Sequence, residues 1–217
     1  MAGKISEKFS NLFQRIFFEE LGKKFRPGTF RNLMNYLYVI FEKSAYQFEF
    51  LSEYYLGFYK ELVEDEIKLA QITSKDHVLV IGCGSIPATS IIIAEKTNAH
   101  ITSIDIDSHA ISNASLIVKK LKLEDKLILE SADGHNYPIE KFDVVFVLYG
   151  VKNHDDMLKL IGKNMRDNAR IIFRSVLEDG DKKILGINQN NDIFEIKKTK
   201  ISKKLYPSIS CLLVKKE

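Results

Sequence analysis

Glu66, Asp105, Asp133, Tyr149 and Arg174, with the loop Gly82-Cys83-Gly84, are the residues of this 217-residue chain whose types and spacing can do chemistry. The loop lies inside "VLVIGCGSIPATS", Val78 to Ser90. Two glycines one residue apart let a backbone turn sharply and approach a ligand closely. A plain tight turn uses the same residues. Asp105, in "SIDID", lies 21 residues beyond Gly84. That is where an acid reaches the ribose hydroxyls of a nucleotide held by such a loop, and it would repel a 2′-phosphate, which argues against NADP. Asp107 in the same segment suits the N-cap of a following helix. Asp133, in "SADGHNYP", either accepts a hydrogen bond from an adenine amino group or makes an ordinary Asp-Gly turn.

Glu66 stands out by its helical position. At 100° per residue, Tyr55, Tyr59, Leu62, Glu66 and Leu69 share a sector of roughly 80°, while Glu64 points away from it. A carboxylate on a packing face is costly unless paired or functional. Two readings follow. Desolvation would raise its pKa toward that of a usable general base. Alternatively it is a structural ion pair with an arginine such as Arg31 or Arg174, or is exposed at the helix end. Arg174 lies near the end of the run "ARIIFRSV" and either holds a carboxylate bidentately or is a surface arginine. Tyr149 follows "FDVVFVL" and either lines an acceptor site or is structural. His109 and His135 lie near the same edge, but no histidine pair has ligand spacing, so no protein-bound metal is expected.

The elements that must position these residues have two periods. Before residue 71, apolar residues recur at helical spacing, as from Phe9 to Phe25. "RPGT" at Arg26 to Thr29 breaks the pattern. A second helix runs through Leu33, Leu37 and Phe41, and a third from Ser52 to Ala70. Sixteen of the 23 Phe and Tyr residues fall in this part. Such a stripe is core against the sheet, a homodimer face or a lid that excludes water from a reactive ligand. From Ser74 onward, short apolar runs alternate with helical stretches. "HVLVIG", "HITSIDI", "KLILES", "FDVVFVLY" and "ARIIFRSV" read as strands; 88–97, 108–121 and 155–165 read as helices. "NDIFEIKK" and "SISCLLVKK" close the chain as a strand pair. Near-continuous apolar strands alternating with helices mean a mostly parallel sheet covered on both faces. The expected organisation is a helical N-terminal cap over 1–74 and a Rossmann-like domain over 75–217.

Composition narrows the partners. Apolar residues make up 45% and charged residues 28%, which supports a globular core. A net charge of +3 gives no general basic field, so no nucleic acid is expected. The lysines of "EIKKTKISKK" read as a solvated strand edge. No apolar run reaches about 18 residues and the first helix has only scattered charges beside its apolar face, so no membrane contact is expected. Two unrelated cysteines and no apolar leader block point to a cytoplasmic protein.

As a set, the glycine loop and the acids after strands two and three resemble the class I S-adenosylmethionine-dependent methyltransferase fold, over about Asp76 to Val176. "VLVIGCG", "ITSIDID" and "FDVVFV" are similar to its successive motifs. Val80 stands where that fold often has an acid, and Ile86 where it usually has a third glycine. Both departures are shared by nicotianamine synthases, whose loop has the form G-x-G-P-L-P-x-T-[SG]. "GCGSIPATS" matches at Gly82, Gly84, Pro87, Thr89 and Ser90, and differs at Ser85 and Ile86. "DIDSHAISNA", "IIFRS" and "YKELVEDEIKLA" resemble further segments of that family. The resemblance implies a transferase that moves the 3-amino-3-carboxypropyl group of S-adenosylmethionine to an amine of a small amino acid-like acceptor, releasing methylthioadenosine, for metallophore synthesis. It implies Glu66 as catalytic base and Arg174 and Tyr149 around substrate. Gly82, Cys83, Gly84, Asp105, Ile106, Asp133 and Gly134 would bind the cofactor. A methyltransferase and a non-catalytic S-adenosylmethionine-binding module are the alternatives.

Overall fold

The structure, a computed structural model, describes residues 49–176, 192–202 and 208–216. The first two expected helices and the segment 177–191 lie outside the described residues. The chain divides into two compact units, Met1–Tyr54 and Tyr55–Glu217. The second carries all the described strands.

Helix α1 (Glu49–Ala70) leads into them. Five parallel strands follow: β1 (His77–Ile81), β2 (His100–Asp105), β3 (Leu127–Ser131), β4 (Val144–Val147) and β5 (Arg170–Val176). They are joined through α2 (Ala88–Thr97), α3 (Ser108–Lys120) and α4 (His154–Asn164). Strands β6 (Phe194–Ser202) and β7 (Ser208–Lys215) close the chain as an antiparallel pair. β7 inserts beside β5, so the seven-stranded order is β3-β2-β1-β4-β5-β7-β6. Every expected described strand and helix is present, with ends shifted by a few residues.

The strands are apolar on both faces because both faces are covered. Leu79, Val145, Val147, Ile171 and Phe173 pack against Met157, Leu158 and Ile161 of α4. The opposite side chains, Val78, Val80, Val144, Phe146 and Ile172, are equally buried. β6 is different. Of its side chains only Phe194 is buried, and those from Glu195 to Ile201 stand in solvent with Lys197, Lys198 and Lys200 among them. Charges on an edge strand discourage pairing with another sheet.

Strand order reverses between β1 and β4, and ligands of open α/β sheets bind in the crevice at such a switch, beyond the carboxyl ends of the strands. The glycine loop leaves β1 there, Asp105 ends β2, and Tyr149 follows β4. β7 runs the other way, so its first residue, Ser208, lies at this same edge opposite Val176.

Candidate functional site

The loop after β1 has the backbone its glycines were expected to supply. Gly82 and Gly84 have φ of 82° and 68°, the left-handed region where a side chain is strained. A Cβ on Gly82 would also come within 3.1 Å of Val151 Cγ2. The loop is tied to β2, since Gly82 and Cys83 both donate N–H to the Ile104 carbonyl, at 2.9 and 3.2 Å. Pro87 is the N-cap of α2, one position before the first helical turn, with φ −78° and no side-chain cap. Ile86 is 2% exposed, so a core side chain fills the position where a third glycine is usual.

Asp105 holds this loop. One carboxylate oxygen accepts the Gly84 N–H at 2.8 Å, and the other accepts the Asp107 N–H at 3.0 Å. A carboxylate offers about four acceptor positions, so two stay open for ribose hydroxyls. Beside it, Ile106 is 76% exposed, an apolar face at the ligand edge that suits a purine ring. Asp107 caps α3 by accepting the His109 N–H at 2.9 Å.

Asp133 turns back into its own turn. It accepts from the His135 N–H at 3.0 Å, from the Asn136 side chain at 3.2 Å, and lies 3.1 Å from the His135 ring. The His135 backbone N–H holds its carboxyl below the usual range. This is the geometry of the turn reading. Gly134 is required by packing, because a Cβ there would sit 2.6 Å from Ile81 Cγ2.

The second half of the site is a buried polar cluster on the α1 face of β5 and β7. Glu66 is fully buried and Arg174 is 1% exposed. Arg174 Nε donates to Glu66 Oε1 at 2.6 Å and Nη2 to Oε2 at 2.5 Å, a bidentate fork. Ser210 Oγ donates to Glu66 Oε1 at 2.6 Å, and Arg174 Nη2 also reaches Thr89 Oγ1 at 3.0 Å. The guanidinium lies 5.7 Å from the Tyr59 ring and 5.8 Å from the Tyr149 ring. Burial alone would lower the Arg174 pKa, but the Glu66 carboxylate more than offsets it and the net direction is up. Burial pushes the Tyr149 phenol up to about 12, against the opposing pull of Arg174.

Of the expected residues, Glu66, Arg174 and Tyr149 therefore meet in one cluster, and Asp105 meets the glycine loop. Thr89 joins the two halves, since its helix begins at that loop. Glu66 and Arg174, given separate roles from the sequence, are each other's partners, as the ion-pair reading of Glu66 had it. Glu64 is not simply solvated: it pairs with Lys96 at 2.7 Å, which lowers its pKa. Ser208 and Ser210 were missed. Their signal was two serines at alternate positions of an otherwise apolar strand, which puts both on one face. Among the described residues no cluster of His, Cys, Asp or Glu is arranged for a metal, and no helix is long and apolar enough to cross a membrane.

Three comparisons bear on this geometry. The family described as "Nicotianamine synthase protein" matches residues 41–212. The L-histidine 2-aminobutanoyltransferase of Pseudomonas aeruginosa (strain UCBPP-PA14) is 26% identical over 121 residues, 55% of this chain and 46% of that protein. The chain thus spans about half the length of the curated relatives it matches first. Among solved structures, MtNAS in complex with MTA and tNA superposes with a TM-score of 0.76 at 18% identity, covering 86% of this chain and 74% of that one. Magnesium protoporphyrin IX methyltransferase from Synechocystis PCC 6803, with bound SAM, gives 0.61 at 16% identity, covering 73% and 80%. The fold is that of the class I S-adenosylmethionine-dependent methyltransferases.

Proposed function

Because the chain belongs to the nicotianamine synthase protein family, we propose that it is a transferase that moves the 3-amino-3-carboxypropyl group of S-adenosylmethionine to an amine of a small amino acid-like acceptor. The observation that carries this reading is the buried Glu66–Arg174 fork joined through Thr89 to the helix of the glycine loop. The loop, Asp105 and Ile106 would hold the nucleoside half of the cofactor. The cluster would handle the amino acid half and the acceptor.

The reaction needs an amine lone pair in line with the carbon to be transferred. An ammonium must first lose a proton. The amine nitrogen then bonds to that carbon, the carbon–sulfur bond breaks, and its electron pair stays on sulfur as neutral methylthioadenosine. Glu66 is proposed to take the proton. Three of its four acceptor positions are filled by Arg174 and Ser210, which leaves one for the proton, and protonation removes the negative charge that holds the fork. The freed guanidinium, an arginine that stays protonated at working pH, can then take a substrate carboxylate. The two separate roles expected for Glu66 and Arg174 thereby become successive steps of one exchange. The relatives support the class of donor and group: one is named as an aminobutanoyltransferase, and one structure holds MTA with tNA. The acceptor is proposed to be an amino acid; L-histidine, from the name of the first relative, is the one to try first. Metallophore synthesis, a cytoplasmic location and a homodimer are part of the same proposal.

Product analysis tests it. Incubation with S-adenosylmethionine and L-histidine, or a cell extract as acceptor source, is expected to yield methylthioadenosine by mass spectrometry. S-adenosylhomocysteine alone would replace the reading with methyl transfer, which the same fold carries out in the Synechocystis relative. A Glu66→Gln variant is expected to bind cofactor and lose turnover; full turnover would remove Glu66 as the base.

A further inference from the structure

One polar group in the cluster has no hydrogen bond of full geometry among the described residues. Ser208 is 1% exposed, and its Oγ is not fully satisfied. A buried hydroxyl in that state is costly and calls for an explanation. Its neighbour two residues along the same face, Ser210, has one, bonded to Glu66 at 2.6 Å. Ser208 lies two register positions nearer the ligand edge, opposite Val176 at the carboxyl end of β5. The Tyr149 phenol lies close enough for the Ser208 hydroxyl to pull its pKa down by side-chain hydrogen bonding, although the pair falls short of full hydrogen-bond geometry. Tyr149 remains partly exposed, and next to it Gly150 has nothing within 4 Å of where a Cβ would be. Among the described residues, nothing crowds the Gly150 side of Tyr149.

We propose that the Ser208 hydroxyl and the Tyr149 phenol together form a seat for the carboxylate of the donor's amino acid arm. Two neutral O–H donors side by side suit an anion, and Tyr149 stays a donor because burial keeps it protonated to about pH 12. Arg174 lies 5.8 Å from the Tyr149 ring and adds positive potential. The donor is favoured over the acceptor by connectivity. Tyr149 follows β4, the strand paired with β1, and the loop leaving β1 leads into Thr89, which bonds Arg174. This inference rests on the reading above only in taking S-adenosylmethionine as the ligand.

The test is calorimetric titration of the full chain and its Ser208→Ala and Tyr149→Phe variants with S-adenosylmethionine, its decarboxylated form and methylthioadenosine. A hydrogen bond to a charged group corresponds to a loss of about tenfold or more in affinity. Each variant is expected to lose that for S-adenosylmethionine and to bind methylthioadenosine unchanged. Ser208→Ala is also expected to melt at the wild-type temperature or above, since it removes an unsatisfied hydroxyl; a lower Tm would mark the hydroxyl as structural and overturn the seat. Unchanged affinity for S-adenosylmethionine would overturn it too. An equal loss toward the decarboxylated form would show that the seat meets the ammonium, and the carboxylate assignment would fall. These titrations need no turnover. A finding that the chain transfers methyl would end the aminocarboxypropyl reading and leave the seat standing or falling on its own.

Discussion

At the scale of residues, a buried ion pair is weak evidence of stability and strong evidence of constraint. Taking Glu66 and Arg174 out of water costs several kcal/mol per ion, which the fork, the hydroxyls of Ser210 and Thr89 and the Tyr59 and Tyr149 rings offset. Apolar replacements of similar volume are often neutral. The pair therefore points to a use other than holding the fold. Glu66→Ala alone is expected to cost about 3–5 kcal/mol in urea unfolding, because Arg174 is left charged and buried. A Glu66→Met, Arg174→Met double variant is expected to recover most of that while losing turnover. A double variant as unstable as the single one would mean that the cluster is a structural brace. Tyr149 adds a pH dependence. Its phenol has a raised folded pKa, so its contribution to stability is complete below the unfolded value of about 10 and is lost as pH rises through about 12. An alkaline absorbance titration of the folded chain is expected to show two tyrosines, Tyr137 and Tyr149, ionising near pH 12, of which Tyr149→Phe removes one. If the wild-type curve is already complete near pH 10, the phenol is not buried as described.

At the scale of elements, β5 holds α1 at two points. Arg174 grips Glu66, and Arg170, four residues earlier, grips the C-terminal end of the same helix. Arg170 donates to the carbonyls of Ala70 and Gln71 at 2.5 and 3.1 Å and pairs with Asp76. Asp76 in turn accepts the Thr73 N–H at 2.6 Å, closing the turn into β1. A helix end leaves carbonyls without partners, and a cation there satisfies them and meets the negative end of the dipole. Arg170→Met is expected to lower stability by about 1.5–3 kcal/mol, the worth of hydrogen bonds from a charged donor, as read in urea unfolding. Its effect on the site should be larger on kcat than on KM, because α1 sets where Glu66 stands. Much of this was legible beforehand. The stripe from Tyr59 to Glu66 put the carboxylate on the packed face, because helical period is a property of sequence alone. The strands were legible from their apolar runs, and the glycines from their spacing. The partners were not. Whether Arg174 or Arg31 meets Glu66 depends on which strand lies under α1, a contact 108 residues apart in the chain. Asp105 was placed at the right edge, but that its carboxylate would brace the loop depends on the backbone path through Gly84. β6 was legible as a strand, while its exposure on nearly all sides follows from its place at the end of the sheet.

At the scale of the whole molecule, the residues named in the site all lie from Tyr59 onward, within the unit Tyr55–Glu217. The apolar cluster under α4 is built from residues between Leu79 and Leu213, and Ile91, Ile92 and Ile93 of α2 are buried as well. A unit of this size buries enough apolar surface to fold by itself, as domains of about 150 residues do. The helix that supplies Glu66 begins at Glu49, so a chain cut there keeps α1 whole. Such a fragment, Glu49 to Glu217, is expected to unfold in one cooperative transition and to bind S-adenosylmethionine as the full chain does, because the loop, Asp105 and Ile106 are all retained. Turnover is a separate question with its own outcome. A reactive sulfonium and a buried base both gain from exclusion of water, and the aromatic residues before Glu49 have the composition for a cover. If the fragment binds cofactor but transfers poorly, turnover depends on residues 1–48. Circular dichroism melting, calorimetry and nucleoside analysis on the same preparation read the three properties separately. A broad, non-cooperative melt would show that the second unit depends on the first for its fold.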